Sequence, residues 1–434
     1  MQLFEKNEFK KERTLKENGL RCILAIQHLI AMFGATVLVP MLTGLDPSVA
    51  LFTAGVGTII FHICTKGKVP VFLGSSFAFI AVIGVVKETY GDLRYAQGGM
   101  MVAGLVYILV SFLIKKIGMD KIKKVLPPQV VGPMIMVIGL NLIPTALNMA
   151  SKSYILAFIT LGTALLIRFF GRGFIKQISI LLAVIVGYVA AYFMGFIDTT
   201  AIGQAALISV PNFTLPKFDM GAVVIIVPVI LAVFMEHIGD ITTNGSVVGK
   251  DFIKDPGLNR TLLGDGLATF VAALLGGPAN TTYGENTGVL AITKNYDPSL
   301  LRLTAIFAIL LSFIAKFGMV IRTIPEPVMG GISLMLFSMI ALIGAKTIKL
   351  EKVEFNYKNV IVMALIIITG LIAPQINPII EANFGFIIGI KITNTVALTG
   401  LSFAAIVGVI SNILINGVKE EKIEEIEILS KELV

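Results

Sequence analysis

Apolar runs of about twenty residues, each long enough to cross a bilayer as a helix, recur along this chain from residue 21 to residue 416. A soluble fold has no interior large enough to bury so many of them. Of 434 residues, 56% are hydrophobic and 14% charged, and mean hydropathy is +0.90. These features identify an all-α polytopic membrane protein. Tryptophan is absent, so any aromatic belt at the membrane surface must come from 9 Tyr and 28 Phe. The net charge of +8 lies between the apolar runs rather than along one soluble face, which excludes a nucleic-acid partner. Cys22 and Cys64 fall at span ends and offer neither a disulfide framework nor metal-ligand spacing.

At about 20 residues per crossing, spans fall near 21–42, 49–64, 69–86, 98–116, 127–146, 152–171 and 176–196, then 222–248, 259–276, 279–293, 300–317, 325–345, 359–379 and 393–416. The first twenty residues are polar and lack the apolar core of a secretory signal, which places the N-terminus in the cytoplasm. Phe4 and Phe9 are read as touching the membrane surface, and the tail from Lys419 to Val434 as a surface helix. Short cytoplasmic loops should be rich in Lys and Arg. The expected inner loops carry Lys66 and Lys68, then Lys115, Lys116, Lys121, Lys123 and Lys124, then Arg168, Arg172 and Lys176, and later Lys250, Lys254, Arg260, Lys294, Arg302, Lys346, Lys349, Lys352 and Lys358. Lys87, Arg94, Lys316 and Arg322 are exceptions. Both termini are expected on the cytoplasmic side.

Leu126 to Met134, LPPQVVGPM, resembles Ile324 to Ile332, IPEPVMGGI, and each opens a span. With seven spans per half, the second half enters from the opposite side, so the match predicts two inverted seven-span repeats. Spans 3 and 10 then occupy equivalent places, and both are irregular. Span 3 holds Val69-Pro70-Val71-Phe72-Leu73-Gly74-Ser75-Ser76-Phe77, and span 10 holds PANTTYGENTGVLAITK from Pro278 to Lys294. In a surface loop these polar residues would be ordinary turn formers. Paired broken segments instead point to a transporter's binding site, and each is expected to begin as a short strand and continue as a half-helix.

The eighth span places Glu236 and Asp240 one helical turn apart on one face. Ionisable groups near the bilayer centre are costly and usually line a cavity. The plainer reading for Asp240 is that the span ends there, in interfacial water. His237, about 100° away around the helix, is read as a packing residue. His28 sits in apolar sequence and can hydrogen-bond to the site; His62, beside Lys66, is read as interfacial, and Asp265 as a structural carboxylate.

At these residues the sequence resembles the nucleobase-ascorbate transporter (nucleobase cation symporter 2) family, and within it the bacterial uracil-permease branch. The family signature reads here Glu285-Asn286-Thr287-Gly288-Val289-Leu290-Ala291-Ile292-Thr293-Lys294, with Asn286, Gly288 and Thr293 at its fixed positions. Asn280 to Gly284, Gln27-His28-Leu29, Leu73 to Phe79 and Glu236 to Gly239 are similar to that branch. The resemblance covers essentially the whole chain. It implies a core domain of spans 1 to 4 and 8 to 11 (residues 1–125 and 221–323) and a gate domain of spans 5 to 7 and 12 to 14 (126–220 and 324–434). It further implies proton-coupled uptake of a nucleobase across the bacterial inner membrane, no catalytic residue, no cofactor beyond the coupling proton, lipid as surroundings and a homodimer through the gate. Where a relative carries a second histidine in span 8 this chain has Asp240, so the proton carrier stays open among Glu236, Asp240 and His28.

Uracil presents two ring N–H donors and two carbonyls. Glu236 and Glu285 can accept the former; backbone N–H groups near Phe77 and Gly284, at half-helix N-termini, can donate to the latter. Phe77 or Tyr283 can cover the ring. Several carboxylates in one low-dielectric pocket cannot all ionise cheaply, so at least one is expected to hold a proton. Rival readings are a xanthine or purine permease, for which Gln rather than Glu285 is typical, and an anion exchanger or channel on the same fold. An intramembrane aspartyl hydrolase built on Gly239-Asp240 and Gly264-Asp265 would explain neither the repeat nor the broken segments.

Overall fold

The computed structural model describes residues 15–117, 126–392 and 397–417. Phe4, Phe9, Lys121, Lys123, Lys124 and the tail from 419 onward lie outside the described residues. The fold is mostly helical. Helices α1 (Leu15–Thr43) and α2 (Pro47–Cys64) lead to strand β1 (Leu73–Ser75), which passes through a 3-10 turn (Phe77–Phe79) into α3 (Ile80–Tyr90) and then α4 (Leu93–Ile117). Next come α5 (Pro128–Ser151), α6 (Tyr154–Phe170), a single turn (Gly173–Gln177) and α7 (Ser179–Phe193). After a connection, α8 (Met220–Val248) and α9 (Leu258–Leu274) precede β2 (Asn280–Thr282) and α10 (Gly284–Thr293). The chain continues through α11 (Pro298–Ser312), α12 (Glu326–Leu350), α13 (Tyr357–Phe384) and α14 (Gly400–Asn416).

Among the described residues, α1, α2, α4, α5, α8, α12 and α13 are long and apolar enough to cross a membrane, with α6, α7, α11 and α14 shorter but apolar. This is a multi-pass membrane protein. Large side chains such as Phe158, Phe169, Phe170 and Phe193 on α6 and α7 remain exposed on its flank. By contrast α3 and α10 have 11 and 10 residues. Each is about 15 Å long, half of a hydrocarbon layer of roughly 30 Å.

Helix starts follow local chemistry. Asp46 caps α2 by accepting from Ser48 N at 2.8 Å, with Pro47 at the first helical position. Asp297 caps α11 in the same way, accepting from Ser299 N at 2.9 Å ahead of Pro298. Asp297 also accepts from Arg21 Nη1 at 2.7 Å, which ties α1 to α11. Partial burial works to raise its carboxyl, but the Ser299 and Arg21 hydrogen bonds outweigh that and hold it down at about 2. The contribution of this clasp is therefore complete above its ordinary value of 3.8 and is lost only as pH falls through about 2.

Helices α1, α2, α4, α9 and α11 pack on one another, with the start of α8 against α4. Separately, α5 packs along α12, which also meets α6; α6 lies on α7 and α13 on α14. The α5–α12 crossing brings together the two helices whose proline-bearing openings match in sequence, each opening against the far end of the other, and glycine makes it close. A Cβ on Gly139 would lie 2.6 Å from Ala341 N, and one on Gly344 2.6 Å from Met136 N. Small residues at such crossings let backbones approach, the usual basis of helix association in lipid. His62, expected at a membrane edge, is instead buried, with Nε2 2.8 Å from Val71 O. The carbonyl of the extended segment before β1 needs a partner, and this imidazole supplies it.

Gly139→Leu should force α5 and α12 apart and destabilise the fold by about 1–3 kcal/mol, the usual range for overpacking. Thermal unfolding in detergent, compared with Gly162→Leu on α6, where an added Cβ would meet nothing within 4 Å, checks this.

Candidate substrate-binding site

The two broken segments meet. β1 and β2 pair antiparallel, Leu73 opposite Thr282, Gly74 opposite Thr281 and Ser75 opposite Asn280, and all six residues are buried. The ladder extends past the strands, since Ser76 N donates to Ala279 O at 2.8 Å and Tyr283 N to Phe72 O at 3.0 Å. A two-stranded sheet leaves outer edges unpaired, and in a membrane interior unpaired backbone groups are expensive. Neighbouring threonines close those edges. Thr58 on α2 accepts from Leu73 N at 2.9 Å, while Thr269 on α9 donates to Asn280 O at 3.0 Å and accepts from Asn280 N at 3.2 Å.

Gly74 is required by close approach: a Cβ there would overlap the Tyr283 ring and lie 2.7 Å from Thr36 Oγ1. The Tyr283 side chain crosses the ladder and donates from its hydroxyl to Ser75 O at 2.9 Å. It is 4% exposed, so it braces the ladder, whereas Phe77 is half-buried at the first turn beyond β1. Neither Ser76 before that turn nor Tyr283 before α10 supplies a side-chain cap. Apart from the Glu285 N–H, which faces its own carboxylate, the first N–H groups of both half-helices keep their donor capacity, and the positive ends of their dipoles point from the ladder.

Beside these ends stand three carboxylates. Glu236 and Asp240 lie on α8, half-buried, in a helix that continues past Asp240 to Val248. Glu285 sits in the first turn of α10, half-buried beside an exposed Gly284. Glu236 and Asp240 each lie within electrostatic reach of Glu285 and of one another. Asp240 Oδ2 accepts from Thr282 Oγ1 at 2.9 Å, so β2 holds one carboxylate while the other two have no such clamp from the ladder.

His28 is fully buried on α1. Asn286 Nδ2 lies 3.1 Å from His28 O and 3.2 Å from His28 Nδ1. A carbonyl oxygen can only accept, so the amide must present its NH2 group, which makes His28 Nδ1 an acceptor as well. The signature asparagine thus locks α10 to α1. Of the other signature residues, Gly288 packs under the Gln177 side chain, and Thr293 Oγ1 donates to Val289 O at 2.9 Å within its own helix. Asn244 on α8 adds a second lock on α10, donating to Thr287 Oγ1 and to Pro70 O, each at 3.0 Å.

His237, turned away from the carboxylates, is fully buried with Nε2 2.9 Å from Thr261 Oγ1 and Nδ1 2.9 Å from Asp265 Oδ2. The Asp265 contact is close without the alignment of a hydrogen bond. Both are read as packing and structural residues, with Asp265 within electrostatic reach of Glu236 and His237 of Asp240. Sequence reasoning missed Thr36, Thr58, Thr269 and Tyr107, the last lying near both Asp265 and Glu236. Lone hydroxyls in apolar helices carry no linear signal of what they face. Among the described residues no group of three or more His, Cys, Asp or Glu is placed to hold a metal.

A family model described as "Permease family" matches residues 21–379. The chain belongs to this permease family. Its full-length relatives include the "Probable uracil permease" of Pasteurella multocida, 39% identical over 420 residues (94% of this chain and 97% of that one). The "Uracil permease" of Bacillus caldolyticus is 41% identical over 410 residues, 91% of each chain, and that of Escherichia coli K12 38% over 398 residues, 89% of each. Among solved structures, the fold is similar to the murine anion transporter Slc26a9 (TM-score 0.66, 10% identity, 95% of this chain and 73% of that one). It is also similar to the transmembrane domain of the cyanobacterial bicarbonate transporter BicA (TM-score 0.56, 15% identity, 78% and 96%). At such identities the likeness concerns the fold alone. The permease is a transport protein and not an enzyme, and the family expectation drawn from the signature holds.

In this permease, Gly74→Ala should drive β1 from the Tyr283 ring, destabilise the fold by about 1–3 kcal/mol and abolish substrate binding. Thermal unfolding and ligand-induced thermal shift measure the two effects separately.

Proposed function

We propose that this permease takes up uracil and related pyrimidine bases across the bacterial cytoplasmic membrane by alternating access, coupled to protons. One observation carries the reading: two uncapped half-helix N-termini converge, through the β1–β2 ladder, beside the acceptors Glu236 and Glu285. That pairing of donors and acceptors complements a ring with two N–H groups and two carbonyls. A base lacking either kind of group would leave a buried partner unsatisfied, which is a strong source of discrimination. The names of relatives at 38–41% identity over nearly the whole chain point to the same substrate.

In this reading fourteen crossings form two inverted halves. Residues 1–125 and 221–323 make a core domain, and 126–220 and 324–434 a gate. Support comes from the way α1 to α4 pack with α8 to α11, and α5 to α7 with α12 to α14. The antiparallel meeting of β1 with β2, and the matched openings of α5 and α12, favour inversion. Both termini then face the cytoplasm. A homodimer through the gate rests on the family resemblance, and lipid on the exposed aromatic flank of α6 and α7.

Since His28 Nδ1 acts as an acceptor for Asn286, the coupling proton is assigned to Glu236 or Asp240, with Glu285 chiefly a substrate ligand. Uptake in proteoliposomes under an imposed proton gradient tests the roles. Glu285→Gln should lose uracil binding, while Asp240→Asn should retain binding and lose pH-dependent accumulation. Full proton-driven transport by either variant rejects its assigned role. Glu285 at the signature's first position disfavours a purine or xanthine substrate, and competition of labelled uracil uptake by thymine, xanthine and 5-fluorouracil separates these.

A further inference from the structure

The connection between α6 and α7 reaches the site. The end of the Gln177 side chain lies flat over Gly288: a Cβ built on Gly288 would stand 2.6 Å from Gln177 Oε1, 2.8 Å from Cδ and 3.0 Å from Nε2. Glu285 and Gly288 are three residues apart on α10 and share a face, so Gln177 covers the helix surface that carries the candidate substrate ligand. From the same connection, Arg168 on the last turns of α6 is half-buried and within electrostatic reach of Glu285, while its neighbours Arg172 and Lys176 are exposed. Immediately after Gln177, Ile180 on α7 packs against α1, where a Cβ on Gly34 would lie 2.7 Å from its Cγ2. Nothing in the substrate chemistry requires this arrangement. It crosses from the proposed gate to the proposed core at the one helix whose first turn holds Glu285.

We propose that the α6–α7 connection is a gate over the Glu285 face, in which Gln177 seats on Gly288 and Arg168 supplies a counter-charge to Glu285, and that this contact must break in every transport cycle. Gly288 has a specific part in it. Any side chain there would meet the Gln177 amide and hold the connection off α10. Arg168 adds an electrostatic bias: it favours the seated arrangement when Glu285 is ionised and no base screens it. The inference rests on the assignment of Glu285 as a substrate ligand.

The test uses the full chain with Cys22 and Cys64 replaced by alanine and with Gln177→Cys and Gly288→Cys introduced. A short bis-methanethiosulfonate reagent should join the pair through two disulfides, each formed as a cysteine thiolate displaces a sulfinate, and lower uracil uptake in proteoliposomes by about tenfold, with recovery on reduction, as expected for trapping one end state. Complete cross-linking, verified by mass spectrometry, with undiminished uptake overturns the proposal. Because Gly288→Cys alone could impair the protein, Gln177→Ala and Arg168→Gln are measured in parallel in the native chain. Removing the contact depopulates the seated state, so each should keep uracil binding within about twofold and slow initial uptake by about fivefold or more. Unchanged uptake by the Gln177→Ala, Arg168→Gln double variant also overturns the gate. If the unmodified chain neither binds nor transports uracil, the substrate assignment fails instead, and that outcome is visible in the same assay before any cross-linking.

Discussion

Everything at the site depends on the fact that a membrane interior offers the backbone no water. A helix broken at mid-depth exposes N–H and C=O groups that each cost several kcal/mol if left unmade. This permease has two such breaks, and each supplies the partners the other lacks, through the three residue pairs of β1 and β2 and the flanking bonds from Ser76 and Tyr283. Thr58 and Thr269 then take the outward-facing groups. The free half-helix N-termini are a consequence of this arrangement. Because the breaks are satisfied by each other, the donors that follow them remain available for a ligand.

The breaks themselves were legible in the sequence, because Pro70, Gly74, Gly284 and the polar run from Asn280 to Thr282 interrupt apolar periodicity where a crossing should continue. So were the strand-then-half-helix form and the carboxylates Glu236, Asp240 and Glu285, since charge in an apolar run is conspicuous. What could not be read was which groups face one another. Tyr283 looked like a ring platform for a ligand, yet its hydroxyl finds Ser75 O and its ring fills the space that Gly74 leaves. His62 looked interfacial because Lys66 is near it in sequence, but burial is decided by the extended segment at Val71 that folds over it. Arg168 and Gln177 read as ordinary residues of a basic loop, because their relation to Glu285 and Gly288 spans more than a hundred positions and exists only after packing.

The three carboxylates differ in how they are held, and the difference has chemical meaning. Asp240 is fixed by Thr282, a residue of the ladder itself, so any change in its protonation acts directly on β2, next to the N-terminus of α10. Glu285 stands on that N-terminus, where the dipole favours negative charge. Glu236 is on the same helix face as Asp240 and within electrostatic reach of Glu285. A proton gained by one member of such a cluster changes the field at the others, which is the physical requirement for linking proton occupancy to ligand binding.

The locks on α10 indicate what can move. Asn286 binds α10 to α1 through His28, Asn244 binds it to α8 and to the segment before β1, and the ladder binds it to α3 through β1. Distorting the ligand-binding donors relative to the carboxylates would break several of these buried bonds at once, each contributing about 0.5–1.5 kcal/mol net and more if a partner is left unmet. The contacts of α10 with the α6–α7 connection are of another kind: a glutamine amide resting on a glycine and a charge acting across space, with no hydrogen bond joining them. Motion therefore takes the route with the least to break. In the proposed cycle the site moves together with its half-helices and carboxylates and parts from its surroundings along the surface where Gln177 meets Gly288.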